Sequence, residues 1–351
     1  MTPRLVWSDA QNGSAQNAAR ILRTDHDRAA SLLPADVCNS TTITATINGA
    51  GPLLLKLENL LPTGSFKVRG AMTTVQGIPG VLPAVKAEVF TASSGNHGLA
   101  VAYAAARYGL AATVVLPEDV SLSKYEVVRQ IATRTIVHGA DCLGAERHAA
   151  NLAARDGATY VSPYNHLGVL LGHATIAAEI VRDHPHVTDV FVSVGGGGLF
   201  SALAVVLQHL RPDIRLHACF PQNSAPLYWR KVPAALRAHE PTLASAVAGD
   251  IDPDSITIPL SLDCLTSAVT CSENHRDEAP DGRLRTAGRR GCRAGRRRMA
   301  KAVADPGHAT PACRAVRRKH HRKPPCASVG TDHHALAANP SGESNGNRKL
   351  Y

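Results

Sequence analysis

Lys67 lies in the run Leu61-Pro62-Thr63-Gly64-Ser65-Phe66-Lys67-Val68-Arg69-Gly70-Ala71, among small and apolar residues. A lysine whose ammonium is partly desolvated gives up its proton readily and becomes a nucleophile toward a carbonyl carbon. Taken alone, it is equally well a surface lysine at a helix start. Two further runs bear on the choice. Ser93-Ser94-Gly95-Asn96-His97-Gly98 offers hydroxyls, an amide with donors and acceptors, and helix-start backbone amides that can hold an anion. It also has the composition of an ordinary N-cap loop. Gly195-Gly196-Gly197-Gly198-Leu199 lets the backbone approach a dianion closely, a charge that a helix N-terminus favours. A glycine run by itself is a flexible turn.

The elements around these runs narrow the alternatives. Strand and helix signals alternate from Leu53 to Phe220. Strands are predicted at 53–57, 89–92, 112–116, 135–137, 159–161, 190–194 and 214–219. Helices are predicted at 65–75, 96–108, 122–132, 144–155, 175–183 and 199–210. This rhythm argues for βαβ units, a mostly parallel sheet and an α/β fold. Residues 15–33 read as a helix broken by Asp25-His26-Asp27, and the β-branched stretch 41–47 reads as a strand. The lysine then stands between a strand and a helix, and residues 93–98 join a strand to a helix, where open α/β sheets bind ligands. The glycine run follows a buried strand and opens a helix about 130 residues beyond the lysine. An aldehyde-binding amine, a polar loop for an aromatic ring and a phosphate cradle are together what pyridoxal 5'-phosphate requires.

All three runs resemble those of the fold type II pyridoxal-phosphate enzymes, the serine/threonine dehydratase-like group of the tryptophan synthase beta superfamily. Leu116-Pro117-Glu118, His138-Gly139-Ala140-Asp141, Val161-Ser162-Pro163-Tyr164-Asn165, Ile256-Thr257-Ile258-Pro259-Leu260 and Val269-Thr270-Cys271-Ser272-Glu273 extend the resemblance over about residues 50–273. It implies two open, twisted, parallel-sheet domains. A large cofactor-binding one comprises 1–87 and 164–275, and a small one, 88–163, is inserted in it. It implies that Lys67 carries the cofactor and takes the substrate's α-proton. Asn96 bonds the ring hydroxyl, and Gly195, Gly196, Gly197, Gly198 and Leu199 hold the phosphate. Ser93, Ser94, Gly95, Asn96 and His97 take the substrate. Ser94 falls where related racemases carry a second acid/base on the ring face opposite the lysine. The implied activity is serine/threonine dehydration to a 2-oxo acid and ammonia. Racemisation, or dehydration of a hydroxy-amino acid in compatible-solute catabolism, is the enzymatic alternative.

The chain departs from the resemblance in several places. The usual Thr-Pro-Leu near the N-terminus is lacking. His166 stands where an acidic residue is common, and Leu171-Gly172-His173-Ala174-Thr175 replaces an Ala-Gly-Gln-Gly-Thr run. Phe220 occupies the position where some relatives place a glutamate that binds a divalent cation. Phenylalanine supplies no oxygen ligand, so no metal is expected.

The largest departure begins near Asn274. Residues 276–351 carry 18 of the 38 Lys and Arg but only 6 of the 28 Asp and Glu, so the net charge of +10 resides in this tail. Of its 76 residues, 41 are Ala, Arg, Gly or Pro and only 8 are large hydrophobics, too few to offset the ordering entropy of a domain. The tail is expected to be disordered or misfolded. Ala, Arg, Gly and Pro are what GC-only codons encode, which points to a shifted reading frame and an inactive homologue. A divergent extension and a basic arm for nucleic acid are the alternatives. The expected partners are a small amino-acid substrate and, in a homodimer, a second copy. Neither a membrane nor, despite the basic tail, a nucleic acid is expected. Eight singly placed cysteines and no apolar leader fit reduced thiols and a cytoplasmic location.

Overall fold

The computed structural model describes residues 14–47, 51–78, 88–93, 95–230, 240–271 and 328–332. Its first helix, α1 (Ala15–Leu32), starts where the Ser14 hydroxyl accepts the Asn17 N–H at 3.3 Å. It runs unbroken through Asp25-His26-Asp27, contrary to the expected interruption. His26 turns inward and lies 3.1 Å from the Leu22 carbonyl, which keeps it on the helix's buried face.

Six strands form the larger sheet, in the order β1-β2-β10-β7-β8-β9. These are β1 (Thr42–Ile47), β2 (Gly51–Leu57), β7 (Asp189–Ser193), β8 (Arg215–Pro221), β9 (Ser267–Cys271) and β10 (Ser328–Asp332). Only β1 runs antiparallel, against β2. A ladder of side chains crosses β7, β8 and β9 near their N-terminal ends. Ser267 Oγ lies 2.8 Å from His217 Nδ1, and His217 Nε2 lies 2.8 Å from Asp189 Oδ1. Arg215 donates to the same aspartate at 2.6 Å.

The smaller sheet is wholly parallel, in the order β5-β4-β3-β6. It is built from β3 (Glu88–Ala92), β4 (Ala111–Leu116), β5 (Arg134–Val137) and β6 (Thr159–Tyr160). Helices α3 (Asn96–Arg107), α4 (Leu122–Arg129) and α5 (Cys142–Arg155) are its connections. Alanines 145 and 149 of α5 pack on Ala92 and Val115 of the sheet.

Helices α2 (Lys67–Gln76), α6 (Leu167–Asp183), α7 (Gly198–Leu210), α8 (Pro226–Trp229) and α9 (Thr257–Cys264) complete the set. α6 and α7 are buried along most of their length and form the centre of the main core with Val190, Val192 and Phe220. α6 begins eight residues before its expected start at 175, because the His166 ring caps it, its Nδ1 accepting the Gly168 N–H at 3.1 Å. α2 and α6 touch backbone to backbone: any Cβ on Gly172 would strike the carbonyl of Arg69.

Beneath this crossing lies a buried quartet of charges. The Arg69 guanidinium binds Glu58 at 2.8 and 2.9 Å and Glu179 at 2.5 and 3.0 Å, and Lys56 binds Glu179 at 2.5 Å. Two cations face two anions, so the interior stays neutral, as burial of charge requires.

The structure differs from the expected featureless tail at five residues. Strand β10 lies between β2 and β7 and pairs with both in parallel. Without it the facing ladder groups of β2 and β7 would lack partners, and a buried backbone polar group without a partner is costly. Residues 276–327 and 333–351 lie outside the described residues.

Candidate functional site

Lys67 is the first residue of α2, reached through a turn in which Gly64 has φ +72°. Its side chain is half-buried, and Nζ donates to the carbonyl oxygen of Pro163 at 2.6 Å and stands 5.1 Å from the Phe66 ring centroid. Burial pushes the ammonium down to about 8, with the negative charge of Glu146 opposing the shift. Near neutrality this lysine is therefore far richer in free amine than a solvated one.

The second run sits at the C-terminal end of β3 and opens α3 with Asn96. Ser93 Oγ accepts the Gly95 N–H at 3.1 Å, which folds the turn, and Asn96 is half-buried. Ser94 lies outside the described residues. His97 is buried and its Nε2 lies 3.0 Å from the Val161 carbonyl, an arrangement that places the proton on Nε2. Burial, aided by the charge of Lys67, pushes this imidazole down to about 3, so it stays neutral. Its Nδ1 then faces inward as a bare acceptor, with no hydrogen-bond partner among the described residues.

The glycine run joins β7 to α7. Gly197 takes φ +82°, a conformation glycine adopts without strain, and caps α7 without any side-chain hydrogen bond. The turn is walled by Tyr164, whose ring carbon a Cβ on Gly196 would approach to 2.5 Å. Behind it α9 contributes Thr257, whose hydroxyl donates to the Gly196 carbonyl at 2.7 Å. Ser261 Oγ is buried there without a hydrogen-bond partner among the described residues. Leu199 is buried in the first turn of α7.

These groups meet through a segment that the sequence marked only as a point of resemblance, residues 161–166. Val161 accepts from His97, Pro163 accepts from Lys67, Tyr164 packs on the glycine turn, and the Asn165 side chain accepts the Ile256 N–H at 3.1 Å. Tyr164 also donates its hydroxyl to Glu146 Oε2 at 3.0 Å and accepts the Asp252 N–H at 3.0 Å. Burial raises the Glu146 carboxyl to about 7, against the pull of the Tyr164 hydrogen bond and the Lys67 charge. Sequence reasoning missed Glu146, Tyr164 and Asp252 as site residues: Tyr164 lay in a run marked for resemblance without a role, and nothing in the local runs of Glu146 and Asp252 distinguishes them from ordinary surface and core positions.

The arrangement fits pyridoxal 5'-phosphate. It holds a partly desolvated amine, an uncapped helix N-terminus behind a left-handed glycine, and buried polar atoms without hydrogen-bond partners among the described residues. It offers no competing metal centre among the described residues, where no three His, Cys, Asp or Glu side chains gather. Phe220 is buried against Tyr228, ring centroids 5.7 Å apart. No helix among the described residues is long and apolar enough to cross a membrane.

Comparison with known proteins agrees with this chemistry. Residues 36–303 match the profile of the family described as pyridoxal-phosphate dependent enzymes. The biosynthetic L-threonine dehydratase of Salmonella typhimurium is 37% identical over 189 residues, which are 54% of this chain and 35% of that protein. The serine racemase of Rattus norvegicus is 31% identical over 226 residues, 63% of this chain and 67% of that protein. The solved structure of maize serine racemase superposes with a TM-score of 0.71 at 22% identity, over 90% of this chain and 94% of that one. The matched stretch spans about a third of the Salmonella dehydratase and about two thirds of the rat racemase.

Proposed function

The chain belongs to the pyridoxal-phosphate dependent enzyme family, and on that premise we propose that it is a lyase that eliminates water from serine or threonine. The enamine so released takes up a water and yields ammonia and a 2-oxo acid. The observation that carries the proposal is the half-buried Lys67 amine, depressed to about 8 and held at the Pro163 carbonyl beside the glycine turn. The 37% identity to a threonine dehydratase supports the choice of reaction.

In this reading Lys67 holds the cofactor, and the amides of Gly195, Gly196, Gly197, Gly198 and Leu199 take its phosphate. Asn96 takes its ring hydroxyl. When bound, the cofactor supplies the electron sink that makes the substrate's α-hydrogen acidic. Everything else falls to the chain. Ser93, Ser94, Gly95, Asn96 and His97 hold the substrate carboxylate, with neutral His97 adding no charge of its own. The Lys67 amine, in its free form, would accept the α-proton at Nζ. Its depressed basicity suits a group that must be unprotonated to act near neutral pH. We read the chain as a large unit (1–87 and 164–275), which carries the strands of the larger sheet other than β10, and a small one (88–163), which carries the smaller sheet.

A second reading is racemisation, favoured by the 31% identity to serine racemase over two thirds of that protein. It would use Ser94 as the second acid/base. The test is to incubate the purified, cofactor-loaded chain with L-serine and L-threonine and to measure 2-oxo acid and D-isomer together. The proposal expects 2-oxo acid that disappears in Lys67→Ala. D-isomer without 2-oxo acid contradicts it and favours racemisation.

A further inference from the structure

One cluster of ionisable groups is tied to the site from outside the three sequence runs. Glu146 projects from α5, the helix that covers the smaller sheet, while the glycine turn belongs to the larger one. A single residue spans the two. The Tyr164 hydroxyl donates to Glu146 at 3.0 Å and accepts from the Asp252 backbone at 3.0 Å. Its ring fills the space that a Cβ on Gly196 would need, and its own Cα and Cβ lie 3.0 Å from the position of a Cβ on Gly198. The preceding peptide carbonyl, that of Pro163, holds the Lys67 amine. Displacing Tyr164 therefore moves the acceptor of Lys67 and the wall of the glycine turn together.

We propose that Glu146 is a positioning residue of the cofactor site: acting through the Tyr164 hydroxyl, it clamps residues 161–166 and so sets the Lys67 amine and the Gly195–Gly198 turn relative to each other. The inference rests on the reading of these residues as the cofactor site. Glu146 touches neither Lys67 nor the turn through any hydrogen bond among those described, so its positioning action runs through Tyr164, while its charge reaches Lys67 directly.

The groups that act on Glu146 come from every neighbouring element. They are Tyr164 on the connecting segment, Lys67 on α2, Asp252 on the segment before α9, Asp141 at the start of α5 and Tyr160 on β6. Burial raises the carboxyl to about 7. Tyr164 and Lys67 pull it down, and Asp252 and Asp141 push it up. Ionisation makes the Tyr164 hydrogen bond charge-assisted and stronger. The clamp thus tightens as pH rises through about 7.

The test is the affinity of the whole chain for pyridoxal 5'-phosphate, read from cofactor absorbance without substrate between pH 6 and 9. Wild type is compared with Glu146→Ala, Glu146→Gln, Tyr164→Phe and the Glu146→Ala/Tyr164→Phe double variant. Circular dichroism verifies that each is folded. Loss of one such hydrogen bond is worth about tenfold in affinity. Glu146→Ala and Tyr164→Phe should each weaken binding about 10-fold, and the double variant about 10-fold as well, not about 100-fold, because both remove the same link. Glu146→Gln, which keeps an acceptor, should stay within about 3-fold of wild type and leave Lys67 to set the remaining pH dependence. Three results overturn the inference: additive losses in the double variant, folded single variants within about twofold of wild type, or a Tyr164→Phe loss that does not grow as pH rises through about 7. A wild-type chain that binds no pyridoxal phosphate overturns the underlying site assignment. Racemase in place of dehydratase activity leaves these binding data untouched.

Discussion

Replacing Glu179 by glutamine should destabilise the chain by about 3 kcal/mol at pH 7 and by much less in acid. Glu179 lies on α6, buried with Glu58, Arg69 and Lys56, and α2 carries Arg69 two residues beyond Lys67. Burial alone would raise the Glu179 carboxyl. The hydrogen bonds and charge of Arg69, with Lys56, overcome that and take it from 4.5 down to about 2. At about 1.4 kcal/mol per pH unit the difference is worth about 3 kcal/mol. That agrees with the roughly 3–5 kcal/mol typical when one partner of a buried ion pair is removed. The folded-state value lies below the unfolded one. The stability is therefore fully present above about pH 4.5 and is lost as pH falls toward about 2. Protonated glutamate resembles glutamine, so the two proteins should converge in acid. Urea denaturation of the unliganded chain, followed by circular dichroism, should give a wild-type-minus-variant difference of about 3 kcal/mol at pH 7 and about 1 kcal/mol at pH 3. A difference below about 1 kcal/mol at pH 7, or one unchanged at pH 3, would refute the reasoning.

Three other outcomes follow from the same geometry. The rate at which Lys67 captures an aldehyde should rise with pH through about 8, not through 10.5, and Glu146→Gln should move the inflection lower by removing the opposing charge; a profile centred near 10.5 counts against a buried amine. Gly196→Ala drives a Cβ to 2.5 Å from the Tyr164 ring and should weaken pyridoxal phosphate binding at least about 10-fold while leaving the thermal midpoint within a few degrees; unchanged affinity means that the turn does not face the cofactor. Truncation after Glu273 removes β10 and leaves β2 and β7 without their shared partner, so the shortened chain should show no cooperative unfolding transition, and a truncated protein as stable as the full chain would place the 328–332 strand outside the fold.

Much of the architecture was legible because it is periodic. The buried β3, β4 and β7 and the helices α3, α5 and α7 alternate in hydrophobicity and composition, and each lies within two or three residues of its expected range. α6 was half hidden, since Gly168 and Gly172 lower its helix propensity. The crossing with α2 requires a residue without a Cβ at 172, and a histidine at 166 caps the helix in place of the usual serine or aspartate. β10 was invisible for a different reason. Ser328-Val329-Gly330-Thr331-Asp332 has one aliphatic side chain, and what recruits it is the backbone ladder of two strands far away in sequence.

The same division holds at the site. Lys67, Asn96 and the four glycines stand out because amine chemistry and a left-handed, uncapped helix start demand particular residue types. Glu146 and Tyr164 do not, because their meaning lies in an 18-residue contact and in an 88-residue contact with Asp252 that only the fold creates. His166, a departure from the family's usual acidic residue, is a helix cap with a buried ring, pushed down to about 4 by burial.

The central claim, that Lys67 is the residue that carries pyridoxal phosphate, has a direct test. The full-length chain is loaded with the cofactor, reduced with borohydride, digested and mapped by mass spectrometry. The account predicts a pyridoxyl group on the peptide containing Lys67, in a stoichiometric amount, and none on that peptide when the reduction precedes loading. A pyridoxyl group on another lysine, with Lys67 unmodified in a fully loaded sample, would contradict it.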